Sequence, residues 1–119
     1  MWKLFVIIKP DAVARGLGTT ILREIELLEN VELATYKVDF LRRAAVEALY
    51  DEHRHQHFFN DLIQYMVSGP AGIATLTGGQ MNRENVDAIR KRYGLDFRKN
   101  SLHASRTLGD EIRESQCFL

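Results

Sequence analysis

The stretch WKLFVIIK, residues 2–9, decides the first question about the fold. It is dense in β-branched and aromatic residues and stops at Pro10. A short, nearly continuous apolar run bounded by proline reads as a buried strand. It is too short to cross a membrane as a helix, and no signal-peptide cleavage pattern follows it. A soluble, cytoplasmic chain is therefore expected.

A buried strand needs neighbours, and the sequence supplies them in alternation. TTILREIELLEN (19–30) places Ile21, Leu22, Ile25 and Leu28 at helical spacing. VELATYKVDFL (31–41) has strand composition, with alternation at Val31, Leu33 and Thr35 and again at Val38 and Phe40. AAVEALYDEH (44–53) and FFNDLIQYMVSG (58–69) read as helices, and AGIATLTG (71–78) as a short strand between glycines. NRENVDAIRKRYG (82–94) is helical, with Asn82 as N-cap and Gly94 as C-cap, and RTLGDEIRESQCF (106–118) is a final helix. The order β-α-β-α-α-β-α, then an irregular piece and a helix, predicts one α/β sandwich spanning residues 1–119. A fourth strand is needed to fill the sheet, and LDFRKNSL (95–102) is the remaining candidate.

The bulk numbers agree with one domain. The chain has 119 residues, 45% of them hydrophobic, enough for a core without disulfides. Its single cysteine, Cys117, rules out an intrachain disulfide and fits a reducing compartment. Next to an apolar tail, Cys117 reads as a small hydrophobe before it reads as a nucleophile. Sixteen basic and sixteen acidic residues cancel, so the global basic excess of a nucleic-acid binder is absent.

Several chemistries lack their motifs. There is no G-x-x-x-x-G-K-[ST], and GLGT (16–19) is not G-x-G-x-x-G. The protein-kinase signatures and C-x-x-C pairs are also missing. His53 and His57 have i,i+4 spacing and could share a metal on a helix. With only Glu52 as a further donor, a solvated helix end before Phe58 is the expected reading, and no protein-held metal is predicted.

Arg90, Lys91, Arg92, Arg98 and Lys99 form a basic cluster just before a lone histidine in NSLHAS (100–105). The cluster suits a solvated helix face. It also suits phosphoryl transfer, whose transition state calls for fixed positive charge. Neutral imidazole, with an unperturbed pKa of about 6.5, is a competent nucleophile near neutrality.

VIIKPDAVARGL (6–17), FFNDLIQYMVSGP (58–70) and KNSLHAS (99–105) together resemble the signature regions of the nucleoside diphosphate kinases, in the same order. The resemblance runs from Leu4 to the C-terminus. It implies a ferredoxin-like α+β sandwich with a four-stranded antiparallel sheet covered by helices, and a fourth strand placed differently from LDFRKNSL. It also implies transfer of a γ-phosphate from a nucleoside triphosphate to a nucleoside diphosphate, through phosphohistidine, with Mg²⁺ on the phosphates. By position, His103 matches the nucleophile, and Glu114, eleven residues later, matches the glutamate that orients it. Tyr50 matches a tyrosine beside the nucleophile. Lys9, Arg90 and Asn100 match the phosphate and sugar contacts. Phe58 matches the aromatic on which the base stacks, with Leu62 near it. Stacking without reading base edges implies little discrimination among bases. The partners implied are nucleoside di- and triphosphates and further copies of the chain, with neither nucleic acid nor membrane. A hexamer is the default, and a tetramer or dimer the alternative.

The chain departs from the family pattern in two places. RKRYG runs directly into LDFRKN, without the intervening segment whose threonine and arginine clamp phosphates in the family. Arg92 and Arg98 are the candidate replacements by proximity in sequence. Arg106 stands where the family usually has an aspartate. The lost segment supports an alternative reading, a catalytically weak relative that binds nucleotides or partners.

Overall fold

The computed structural model describes residues 3–29, 31–78, 83–94, 101–104 and 108–118. The chain runs β1 (Lys3–Ile8), α1 (Pro10–Ala14), α2 (Gly18–Glu29), β2 (Glu32–Asp39) and α3 (Arg43–Leu49), then a 3₁₀ turn (Asp51–His53). It continues through α4 (Phe59–Met66), β3 (Ala71–Thr77), α5 (Arg83–Tyr93), β4 (Leu102–Ala104) and α6 (Leu108–Phe118). The sandwich expected from the sequence is present: four antiparallel strands in the order β2-β3-β1-β4, with helices against them. Asn82, expected to cap α5, lies outside the described residues.

β1 lies between β3 and β4, and Phe5, Val6, Ile7 and Ile8 are wholly buried. Successive strand side chains point to opposite faces, and here both faces are covered. Leu4, Val6 and Ile8 pack with Ile21, Leu22 and Ile25 of α2 and Val86 and Ile89 of α5. Phe5 and Ile7 pack with Val46 and Leu49 of α3 and Ile63 and Met66 of α4. Phe118 of α6 stacks on Phe5 at 5.8 Å between ring centroids. Double coverage is why the run 2–9 shows no polar alternation.

β2 is an edge strand, and its two alternating runs are out of phase for a structural reason. Leu33 pairs with Leu76 and Thr35 with Thr75, so the register shifts by one residue between them. An extra residue at such a bulge swaps the faces that follow. Leu33, before the bulge, and Val38, after it, thereby pair with Leu76 and Gly72, which share one face of β3. Of the apolar residues in the two alternating runs, Val31 is buried, while Leu33, Val38 and Phe40 are open at 38, 50 and 60% exposure. Leu28, expected on the buried stripe of α2, is also exposed.

Two expectations need correction. The fourth strand is Leu102–Ala104, which LDFRKNSL overlaps only at Leu102; residues 95–100 lie outside the described residues. A three-residue strand is shorter than any run that periodicity can register. Helix α1 has no counterpart among the elements read from the sequence. Its five residues start at Pro10, which is well placed at the first helical position, where no backbone N–H is needed.

Candidate active site

β4 sets the position of the lone histidine. Leu102 and Ala104 turn into the core beneath α2 and α5, so His103 between them turns to the other face, opposite Ile7. Strand alternation thus delivers an imidazole to the side that carries α3, α4 and α6. There Glu114 of α6 meets it: His103 Nε2 lies 2.8 Å from Glu114 Oε1. The histidine side chain is 17% exposed and the glutamate 5%. A carboxylate only accepts, so Nε2 carries the proton and donates. In the neutral ring Nδ1 then keeps its lone pair. Arg113 places Nη2 3.4 Å from the other Glu114 oxygen.

Tyr50 ends α3, and its ring stands edge-on to His103 at 6.1 Å and 76°. Its hydroxyl is buried with no hydrogen-bond partner among the described residues. Burial raises its pKa well above the usual phenol range, the Arg90 charge opposes that, and the Glu114 charge adds to it. Arg90, one turn from the end of α5, donates from Nε to the Leu102 carbonyl at 3.0 Å, next to His103 in the chain.

Lys9 follows β1 directly and is buried. Its backbone N–H donates to the Ser101 carbonyl at 2.8 Å, which ties the end of β1 to the start of β4. Ser101 has φ of 76° and is wholly buried. That left-handed conformation is uncommon outside glycine and costs about 1–2 kcal/mol. Sequence reasoning missed Ser101, because serine carries none of the signal that glycine or asparagine gives for such a turn.

Phe58 caps α4 and is half-buried, and Leu62 is buried one turn on. A series of rings leads there from the histidine. Tyr50 lies 6.5 Å from His53, and His53 lies 5.6 Å from Phe58. His57 meets Phe58 edge-on at 5.7 Å. His53 and His57 therefore flank an aromatic ring. Among the described residues no group of three or more His, Cys, Asp or Glu could hold a metal ion.

The structure brings together Lys9, Tyr50, Arg90, His103 and Glu114, with Phe58 and Leu62 at the end of the ring series. It does not bring Arg92. Two positions past Arg90, Arg92 is turned roughly 200° from it around α5. That rotation carries its guanidinium to an ion pair with Glu24 of α2 and away from His103. This pairing lends no support to Arg92 as the replacement for the family's clamp. Arg98, Asn100 and Arg106 lie outside the described residues.

Comparison with known proteins bears on what this arrangement is. The family model described as nucleoside diphosphate kinase matches residues 3–119. A nucleoside diphosphate kinase of Lawsonia intracellularis is 33% identical, over 99% of this chain and 94% of its own. One of Maricaulis maris is 36% identical, over 92% of this chain and 89% of its own. The alignment to the Lawsonia protein covers 131 residues, more than the 119 here, so that relative carries residues this chain lacks. The crystal structure of the Encephalitozoon cuniculi nucleoside diphosphate kinase superposes with a TM-score of 0.86 at 26% identity, over 100% of this chain and 89% of that one. The fold is accordingly the ferredoxin-like α+β sandwich. With the motifs, the sheet order and these matches in agreement, the chain belongs to the nucleoside diphosphate kinase family.

Proposed function

We propose that this chain carries out its family's reaction, transfer of the γ-phosphate of a nucleoside triphosphate to a nucleoside diphosphate, through Nδ1 of His103. The observation that carries the reading is the 2.8 Å contact between His103 Nε2 and Glu114. In the first half-reaction Nδ1 attacks the γ-phosphorus, the bond from that phosphorus to the β,γ-bridging oxygen breaks, and the diphosphate leaves. Glu114 holds the Nε2 proton and offsets the positive charge that grows on the ring. In the second, a terminal oxygen of the acceptor diphosphate attacks the phosphorus and the P–N bond breaks. One site serves donor and acceptor in turn.

Arg90 and Lys9 supply positive charge for the phosphates, and Asn100 is assigned to the sugar by its motif alone. Phe58 and Leu62 take the base by stacking, which every base allows. A divalent metal is part of the family's chemistry, and we assign Mg²⁺. It would be held mainly by the nucleotide phosphates and water and would offset phosphate charge beside Lys9 and Arg90. Arg98 remains the candidate for the missing clamp. The same reading takes residues 1–119 as one domain in a cytoplasmic setting. No helix among the described residues is long and apolar enough to cross a membrane. It also takes the protein as a homo-oligomer, supported by the exposed Leu27, Leu28, Leu33, Val38 and Phe40 on α2 and around β2.

The test is incubation with γ-labelled ATP and Mg²⁺, then addition of an unlabelled diphosphate. Acid-labile label on the protein that moves to the diphosphate is expected. Absence of label, or label that persists in His103→Ala, overturns the reading.

A further inference from the structure

Two helices that carry or adjoin the proposed nucleotide contacts meet at one carboxylate, and a third joins them through the arginine paired with it. Asp11 is the second residue of α1, two after Lys9, and its side chain is 3% exposed. The Tyr65 hydroxyl, on α4, donates to Asp11 Oδ1 and accepts from the Asp11 backbone N–H at 2.9 Å. Arg15, one turn further along, places Nη2 3.5 Å from Asp11 Oδ2 and donates from Nε to the Asp11 carbonyl at 3.3 Å. The same Nη2 donates to the carbonyl of Tyr93, the last residue of α5.

Each arm of this cluster ends close in sequence to a nucleotide contact. Lys9 is two residues before Asp11, Leu62 three before Tyr65 and Arg90 three before Tyr93. A buried carboxylate is costly unless it is paired, and Asp11 Oδ2 has the 3.5 Å ion pair with Arg15 and no hydrogen bond among the described residues. The Tyr65 and Tyr93 bonds tie α1 to α4 and α5. Arg15 also satisfies a carbonyl that a helix end leaves open. It does so just before the point where the family's extra segment is missing. The geometry points to Asp11, Tyr65 and Arg15 as positioning residues that set Lys9, Leu62 and Arg90 around the nucleotide. His103 and Glu114 stand on β4 and α6, which these bonds do not reach.

The inference rests on the assignment of Lys9 and Arg90 to the nucleotide, and it separates binding from nucleophilicity. Tyr65→Phe keeps the ring and loses both hydroxyl bonds. Arg15→Lys keeps the charge but loses the Nε donor to the Asp11 carbonyl and shortens the reach to Tyr93. Steady-state kinetics with ATP are compared with His103 phosphorylation by phosphoramidate, a donor without base or sugar that releases ammonia. Both variants should raise the nucleotide KM about tenfold, with a clearly smaller loss for phosphoramidate, which presents a single phosphoryl group without the other phosphates, sugar or base. An unchanged KM, or an equal loss with phosphoramidate, overturns the inference. Lys9→Met is the control. If it also leaves KM unchanged, the site assignment fails; if it alone raises KM, only the positioning role fails.

Discussion

Glu114 Oε1 lies 2.8 Å from His103 Nε2, although the two residues belong to a strand and a helix. The pairing decides which ring nitrogen is free. Glu114→Gln can donate to Nε2 and so favour the tautomer with its proton on Nδ1. It should lower the rate of His103 phosphorylation at least 10–100-fold, roughly the usual cost of losing such a partner. Quenched-flow labelling measures it, and Glu114→Asp should lose less.

Arg90 and Arg92 are two positions apart and have different partners. Arg90→Ala removes a cation beside β4 and should raise the nucleotide KM about tenfold. Arg92→Ala breaks the pair with the partly buried Glu24 of α2 and should leave KM and kcat unchanged. Equal effects would return Arg92 to the site.

Tyr50 is buried and its pKa is raised by that burial. The unfolded phenol ionises near its ordinary value of about 10. The stability that follows from the raised value is therefore complete below about pH 10 and falls as pH rises beyond it. Tyr50→Phe should flatten that alkaline loss. Denaturant melts between neutral pH and the alkaline limb provide the comparison.

Ser101 holds a left-handed backbone at the entry to β4. Ser101→Gly should relieve about 1 kcal/mol of conformational strain, partly offset by greater freedom in the unfolded chain. Thermal unfolding should show no loss of stability. A marked loss would mean that the hydroxyl has a partner that offsets the strain.

How much was legible follows from the size of each signal. β1 was plain, because burial on both faces leaves an unbroken apolar run. The phase change in β2 was visible as two alternating runs, but its cause, a bulge, needed the register. β4 and α1 have three and five residues, too few for a periodic pattern to register. Asp11 and Tyr65 are 54 positions apart, and no local spacing could join them.

The sequence by itself determined the alternation of strands and helices, the family, and the identity of the lone histidine as the candidate nucleophile. The alternation is a local pattern, and the family and the histidine's role come from the resemblance of three ordered motifs. Only the tertiary structure decided which face His103 takes, that Glu114 reaches Nε2, and that Arg92 pairs with Glu24. Each of these depends on how β4, α5 and α6 pack, and packing brings together residues that the chain keeps apart.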